Sequence, residues 1–152
     1  MGTISGTSEV LRWEIPSLFR WLGVIDAALQ EVGQELAWEQ DELNQVSVAV
    51  IEAVSNAIEH GNRFEPERSV QVELWASGRR LRFRVSDEGP GFERDRLDLP
   101  TPSPESPEFM KSRGRGLFIM RDIMDAIRID REAGRFVVEL EKELKAPVGT
   151  GH

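Results

Sequence analysis

The sequence contains no cysteine and only two histidines, His60 and His152, among its 152 residues. The absence of cysteine excludes disulfides, thiolate zinc sites and cysteine nucleophiles, and two histidines do not suffice for a histidine-rich metal centre. Any metal ion bound by this protein must therefore be held by oxygen ligands.

The chain also lacks a run of 18 apolar residues, and its first residues, "MGTISGTSEV", lack the basic and apolar regions of a signal peptide. Basic residues are outnumbered, with 19 Lys and Arg against 27 Asp and Glu, for a formal net charge of −8. An acidic surface repels a polyanion over roughly a Debye length. We therefore expect a cytoplasmic protein that binds neither membrane nor nucleic acid directly.

The hydrophobic content of 39% is enough for one compact core. We expect a single domain over residues 1–152, with its core at about 8–144 and a tail, 145–152, that frays. The stretch "EVLRWEI" alternates as a strand does. A helical stripe then begins at Pro16 or Ser17 and contains Leu18, Leu22, Ile25, Leu29, Val32 and Leu36.

A second helix is predicted from Asp41, its candidate cap, to His60, with Gly61 suited to end it. "SVQVELWA" and "RLRFRVSD" predict a β-hairpin that turns at Ser77 and Gly78. A long Pro-rich loop follows, then a third helix, "GLFIMRDIMDAI", and a final hairpin. This order predicts an α+β fold, a two-layer sandwich of a mixed, mainly antiparallel sheet covered by about three helices.

Polar residues on the second helix carry the first chemical signal. Glu52 and Asn56 lie four residues apart, so their side chains share one helical face, joined by Glu59 and His60. For an isolated pair of this kind a solvated polar face is the better explanation. The glycine-containing segments further along the chain change that balance.

Two segments supply these glycines. In "SDEGPGF", Asp87 ends a strand and can accept a hydrogen bond from an exocyclic amine, while Gly89 and Gly91 permit a turn or the close approach of a ligand. In "SRGRGLFIM", Gly114 and Gly116 precede a helix, whose free N–H groups and dipole favour an anion such as phosphate. Each segment alone is equally consistent with a tight turn or a helix entry.

In this order, "EAVSNAIEHGN", "DEGPGF" and "GRGLFIMRDIMDAIRI" resemble the N box and the two glycine boxes of the GHKL ATPase superfamily. The Pro-rich loop, at about 92–113, takes the place of the ATP lid. The resemblance covers Ser8 to Leu144. No G-x-x-x-x-G-K-[ST] motif of a P-loop occurs, which is consistent with this superfamily. The small size and "NAIEHGN" look most like the bacterial anti-sigma-factor serine/threonine kinases.

The resemblance implies a role for each matching residue. Asn56 matches the magnesium-binding asparagine and Glu52 the general base, while Asp87 matches the carboxylate that reads adenine. The other nucleotide-contacting positions that it implies are His60, Gly89, Gly91, Arg113, Gly114, Arg115, Gly116 and Leu117.

Three of these positions keep two interpretations. His60 is as consistent with capping the helix as with touching phosphate. Many relatives have glycine where this chain has Arg113, and Arg113 and Arg115 either meet the γ-phosphate or remain solvated charges.

The resemblance further implies ATP and Mg²⁺ as cofactors. Its implied function is to sequester an RNA polymerase sigma factor and to phosphorylate a serine or threonine of a STAS-type antagonist protein. A homodimer is also expected, and Trp13, Trp21, Trp38 and Trp75 would suit its interface if exposed. Two alternatives stay open: an ATP-binding regulatory module without kinase activity, and a histidine-kinase-type catalytic domain.

Overall fold

The computed structural model describes residues 9–89 and 115–145. Strand β1 (Glu9–Pro16) is followed by a 3₁₀ turn (Phe19–Trp21) and two helices, α1 (Leu22–Glu35) and α2 (Gln40–Asn56). A π-helical turn (Ala57–Gly61) extends α2, and the remaining elements are β2 (Ser69–Ser77), β3 (Arg80–Asp87), α3 (Arg115–Ile123), β4 (Ala126–Glu132) and β5 (Arg135–Glu143). No helix among the described residues has the length and apolar character needed to cross a bilayer.

The five strands form one sheet in the order β1-β2-β3-β5-β4, and all four pairings are antiparallel. The predicted α+β sandwich is therefore confirmed, with a sheet that is antiparallel rather than mixed in the described part of the chain. In the predicted hairpin Val72 pairs with Val85, and Leu74 pairs with Phe83. Gly78 has a φ of 60° at the turn between them.

The core lies between one face of the sheet and the three helices. The second predicted helix has six apolar residues at three- and four-residue steps, a pattern that predicts one buried stripe. This is confirmed, because all six are buried: Leu43, Val46, Val50 and Val54 on α2, and Ala57 and Ile58 on the π-helical turn. Helix α2 packs between α1 and α3. Because α2 has a helix on each side, few of its side chains reach solvent outside the polar face that carries Glu52 and Asn56.

The opposite face of the sheet is charged. One row of paired residues crosses all five strands with alternating sign: Arg12, Glu73, Arg84, Glu139 and Arg128. The Nε atom of Arg12 lies 2.6 Å from a carboxylate oxygen of Glu73, and Nη1 of Arg128 lies 3.1 Å from Glu139. Beside this row Arg82 stacks over the ring of Trp75 at 4.8 Å. These contacts satisfy the charges that the strand alternation directs away from the core.

The predicted start of the first helix is wrong. Pro16 ends β1, and the buried hydroxyl of Ser17 donates to the carbonyl of Arg68 at 2.6 Å, which keeps this part of the chain extended. The helix therefore begins only at Leu22. Its end is also earlier than the stripe indicated, because Ala37 has a φ of 57°, and Leu36 is exposed beyond the last turn.

Two further boundaries differ from the prediction. Asp41 does not cap α2. The carboxylate of Glu39 does so, since it accepts the N–H groups of Asp41 and Glu42 at 3.0 and 3.1 Å. Helix α3 ends at Ile123 rather than Ile127, because the N–H of Asp125 donates to Glu141 and draws the chain onto β5.

Of the four tryptophans, Trp38 is buried in the core, Trp13 packs partly against it and Trp21 is exposed. In the tail, the N–H of Lys145 donates to both carboxylate oxygens of Glu42 at 3.0 and 3.1 Å. The predicted fraying of residues 146–152 and the predicted lid at 92–113 lie outside the described residues.

Candidate nucleotide site

Glu52 and Asn56 lie side by side at the end of α2 where α3 begins. A methyl group in place of the hydrogen of Gly116 would lie 2.7 Å from Oε2 of Glu52 and 3.3 Å from Nδ2 of Asn56. With glycine at this position the first turn of α3 approaches the two polar side chains closely, and a larger residue would require the Glu52 carboxylate to move. The structure thus brings together the N-box pair and one glycine of the second glycine box.

The amide of Asn56 is poised for a ligand. Its Nδ2 atom is buried and has no hydrogen-bond partner among the described residues. A buried amide without a partner is costly, so a polar ligand at this position would remove a penalty. Because the amide group also carries an oxygen that suits a hard cation, the side chain fits Mg²⁺ that keeps most of its waters.

The first glycine box lies against the end of the π-helical turn that extends α2. Asp87 is 2% exposed and accepts the N–H of Gly89 at 2.9 Å. Gly61, at the end of the π-helical turn, packs against both: a methyl group on Gly61 would collide with the carboxylate of Asp87, and one on Gly89 would collide with the carbonyl of Gly61. These two glycines fix the position of Asp87 relative to α2.

Asn62 was assigned no role from the sequence, but its hydrogen bonds connect the segments next to Asp87. Asn62 is fully buried, and its side-chain N–H groups donate to the hydroxyl of Ser17 at 2.8 Å and to the carbonyl of Ser69 at 3.0 Å. Its side-chain oxygen accepts the N–H of Glu88 at 2.8 Å. Asn62 thereby ties the end of α2 to the start of the first glycine box. The sequence feature that could have indicated this role of Asn62 is its position directly after Gly61.

Glu88 contributes a second link, between β2 and β3. Its carboxylate accepts the backbone N–H of Ser69 at 2.5 Å and the Ser69 hydroxyl at 3.1 Å. The backbone hydrogen bond is the main cause that lowers the pKa of Glu88, and the positive charges of Arg135 and Arg68 act in the same direction. Arg135 also donates to the Ser86 hydroxyl at 2.9 Å.

The remaining predicted positions divide into two groups. His60 is exposed on the π-helical turn, and Arg115 and Leu117 lie in the first turn of α3. Gly91, Arg113 and Gly114 lie outside the described residues. The described part of the chain thus brings Gly116 against Glu52 and Asn56, and Gly89 and Asp87 against Gly61, and the π-helical turn Ala57–Gly61 connects the two groups.

The sequence and the fold are both similar to those of known proteins. Residues 15–142 match the model of the family described as the histidine kinase-like ATPase domain. The serine-protein kinase RsbW of Bacillus subtilis (strain 168) is 26% identical over 135 residues, which cover 86% of this chain and 84% of the relative. RsbW of Listeria monocytogenes serotype 4a is 25% identical over 128 residues, and covers 82% of each chain.

Two solved structures share the fold. The RsbU and RsbW domains of a Mycobacterium tuberculosis protein match with a TM-score of 0.64 and 17% identity over 91% of this chain, which spans only 33% of that longer chain. The SiaB–SiaC complex of Pseudomonas aeruginosa matches with a TM-score of 0.57 and 15% identity, over 87% of this chain and 88% of the other. At these identities the likeness concerns the fold.

Proposed function

Because this chain belongs to the histidine kinase-like ATPase domain family, we propose that it is an ATP-dependent anti-sigma factor that phosphorylates a serine or threonine of an antagonist protein. The observation that carries the proposal is the approach of Gly116 to Glu52 and Asn56, since it joins a helix N-terminus, an amide and a carboxylate in one place. The likeness to curated serine-protein kinases supports the choice of acceptor.

In this proposal each residue of the site has a distinct role. When bound, ATP with Mg²⁺ supplies the γ-phosphoryl group and the positive charge that offsets its oxygens. Asn56 would hold the cation through its amide oxygen, and Asp87 would accept a hydrogen bond from the exocyclic amine of adenine. Gly116, with Gly114, places the N-terminus of α3 at the phosphates.

Glu52 has the role that distinguishes a kinase from a nucleotide-binding module. Its carboxylate takes the proton of the acceptor hydroxyl as the hydroxyl oxygen bonds to the γ-phosphorus and the bond to the β–γ bridging oxygen breaks, with ADP as the leaving product. A protein that only bound ATP would not need a carboxylate at this point.

The test is transfer of labelled phosphate from ATP to the antagonist protein. We expect Glu52→Ala to lower the transfer rate by about a hundredfold or more, the usual size of a general-base contribution, and to leave the affinity for ATP nearly unchanged. The matched control is Glu59→Ala, which removes an exposed carboxylate on the adjoining π-helical turn and should transfer phosphate at the wild-type rate.

Other outcomes would select the alternatives. Tight ATP binding without transfer to any antagonist would identify a regulatory module that acts by binding alone. Transfer to a histidine of a helical-hairpin domain would identify a histidine-kinase-type catalytic domain. We also propose a homodimer and a sigma factor as partner; a dimer has twice the 17.2 kDa mass of the chain in light scattering.

A further inference from the structure

A groove runs between α1 and α2 and leads to Glu52. It has a volume of about 540 Å³, and Glu52 is the last residue of α2 that lines it. Its other α2 residues are Asn44, Ser47, Val48 and Ile51, which share one helical face. We propose that this groove binds the segment of the acceptor protein that carries the phosphorylated serine or threonine. This inference rests on the proposed kinase function.

The length of the groove fits a short extended segment. From Asn44 to Glu52 the helix rises about 12 Å at 1.5 Å per residue. An extended chain covers this distance in about four residues. A segment that lies along the groove with its hydroxyl beside Glu52 therefore has about three further residues in contact with α1 and α2.

The floor of the groove is apolar and open to solvent. Leu22 and Ile51 are half-buried, and Val48 is 47% exposed although it is an apolar residue. An exposed valine beside a half-buried leucine and isoleucine offers an apolar contact that is incomplete in the isolated chain. The acceptor segment should supply an apolar side chain at this position.

The wall of the groove is acidic and already ordered. The hydroxyl of Ser47 donates to Oδ1 of Asp26 at 2.5 Å, which holds that carboxylate against the wall. With Glu52, two carboxylates line the groove, and none of its described lining residues is cationic. An acidic segment would be repelled, so the acceptor segment should be neutral or basic there.

At the other end of the groove, the lining residues Gln30 and Asn44 belong to a cluster of three amide side chains. Gln40 donates through Nε2 to Oδ1 of Asn44 at 2.9 Å and to Oε1 of Gln30 at 3.3 Å. A segment that follows the groove from a hydroxyl beside Glu52 therefore extends toward this cluster.

Val48 and Val24 provide a matched pair for the test. Both are exposed valines on adjacent helices, 47% and 49%, but Val24 does not line the groove. The acceptor is a recombinant STAS-type antagonist protein from the same organism. We expect Val48→Asp to raise the KM for this acceptor at least about tenfold with unchanged ATP affinity, and Val24→Asp to change neither constant by more than about twofold. Equal effects of the two variants, or an unchanged KM for Val48→Asp, would overturn the proposal.

A second measurement does not depend on catalysis. Since the chain has no cysteine, Val48→Cys carries a single thiol that can be labelled with a photo-crosslinker, and Ser77→Cys at the β2–β3 turn is the distant control. With ATP present, the label at residue 48 should attach to the acceptor peptide that contains the phosphorylated residue, and the label at residue 77 should not.

The two measurements distinguish a failure of the kinase proposal from a failure of the groove proposal. If the wild-type chain transfers no phosphate but residue 48 still crosslinks to one serine- or threonine-containing peptide of the acceptor, and residue 77 does not, the kinase proposal is wrong and the groove remains a binding site for the acceptor. If transfer occurs and the crosslinks fall elsewhere on the acceptor, the groove proposal alone is wrong.

Discussion

At the scale of single residues, the site depends on one buried amide as much as on the residues assigned to chemistry. Asn62 makes three side-chain hydrogen bonds, to Ser17, Ser69 and Glu88, and it is fully buried. It therefore joins the ends of three segments that are far apart in the sequence. Its removal takes a hydrogen bond from the backbone N–H of Glu88 and from the buried hydroxyl of Ser17, while the carbonyl of Ser69 keeps the hydrogen bond that Arg135 donates.

We expect Asn62→Ala to lower the free energy of unfolding by about 2–4 kcal/mol. The measurement is urea unfolding followed by circular dichroism. Asn44→Ala is the control, because Asn44 is exposed and should change stability by no more than about 0.5 kcal/mol. A loss at Asn62 no larger than that of the control would contradict its organising role.

Single residues also show which functional contacts a sequence pattern does not predict. Glu52, Asn56 and Asp87 were identified from residue spacing and from the family resemblance, because the residues of each family motif lie close together in the sequence. Asn62 and Glu88 were not assigned roles, because their partners Ser17 and Ser69 lie 45 and 19 residues away. Such contacts are set by tertiary structure, which the spacing of residues along one segment does not encode.

At the scale of elements, the three helices were predicted in number and order, and the end of the second at Gly61 is confirmed, but several other helix ends were not predicted. Apolar periodicity reports which face of a helix is buried, and all six stripe positions of α2 and its π-helical turn are buried. Helix ends depend on single hydrogen bonds, such as the cap at Glu39 and the tie of Ser17 to Arg68. Several side chains near a boundary can make such bonds, so the sequence leaves the choice open.

The contact between α1 and α2 provides a test at this scale. A methyl group on Gly33 would lie 2.6 Å from Cδ2 of Leu43 and 3.0 Å from the ring of Trp38. We expect Gly33→Ala to destabilise the protein by about 1–3 kcal/mol through overpacking, as measured by thermal or urea unfolding.

Gly23, on the same helix, is the matched control because a methyl group there would have no neighbour within 4 Å. Gly23→Ala should be neutral or stabilise the protein by about 0.5 kcal/mol, since alanine favours the helix. A stable Gly33→Ala variant would show that Leu43 can move aside without cost.

At the scale of the whole molecule, the acid stability should follow a few carboxylates at the sheet. The pKa values of Glu88, Glu132 and Glu141 are lowered, in each case mainly by a hydrogen bond: from Ser69, Arg84 and Arg128 respectively. In the unfolded chain these groups return to about 4.3. The unfolded state then binds more protons over the range between the folded and unfolded values.

The contribution of these groups to stability is therefore fully present above about pH 4.3 and is lost as pH falls through their lowered folded values. We expect the urea midpoint of the wild-type protein to fall below this pH. The triple variant Glu88→Gln, Glu132→Gln, Glu141→Gln should show a shallower fall. A control that changes three exposed helix carboxylates to Gln, at Glu31, Glu35 and Glu59, should keep the wild-type slope.

The charged face of the sheet has a further consequence for how molecules of this protein meet each other. On that face the charged residues of the central strand β3 are all cations, Arg80, Arg82 and Arg84, and they pair with Glu143, Glu141 and Glu139 of β5. Beside a second β3 the same side chains would repel one another, whereas beside β5 they meet carboxylates. The charge pattern therefore favours the native β3–β5 pairing over pairing of β3 with itself when chains are crowded.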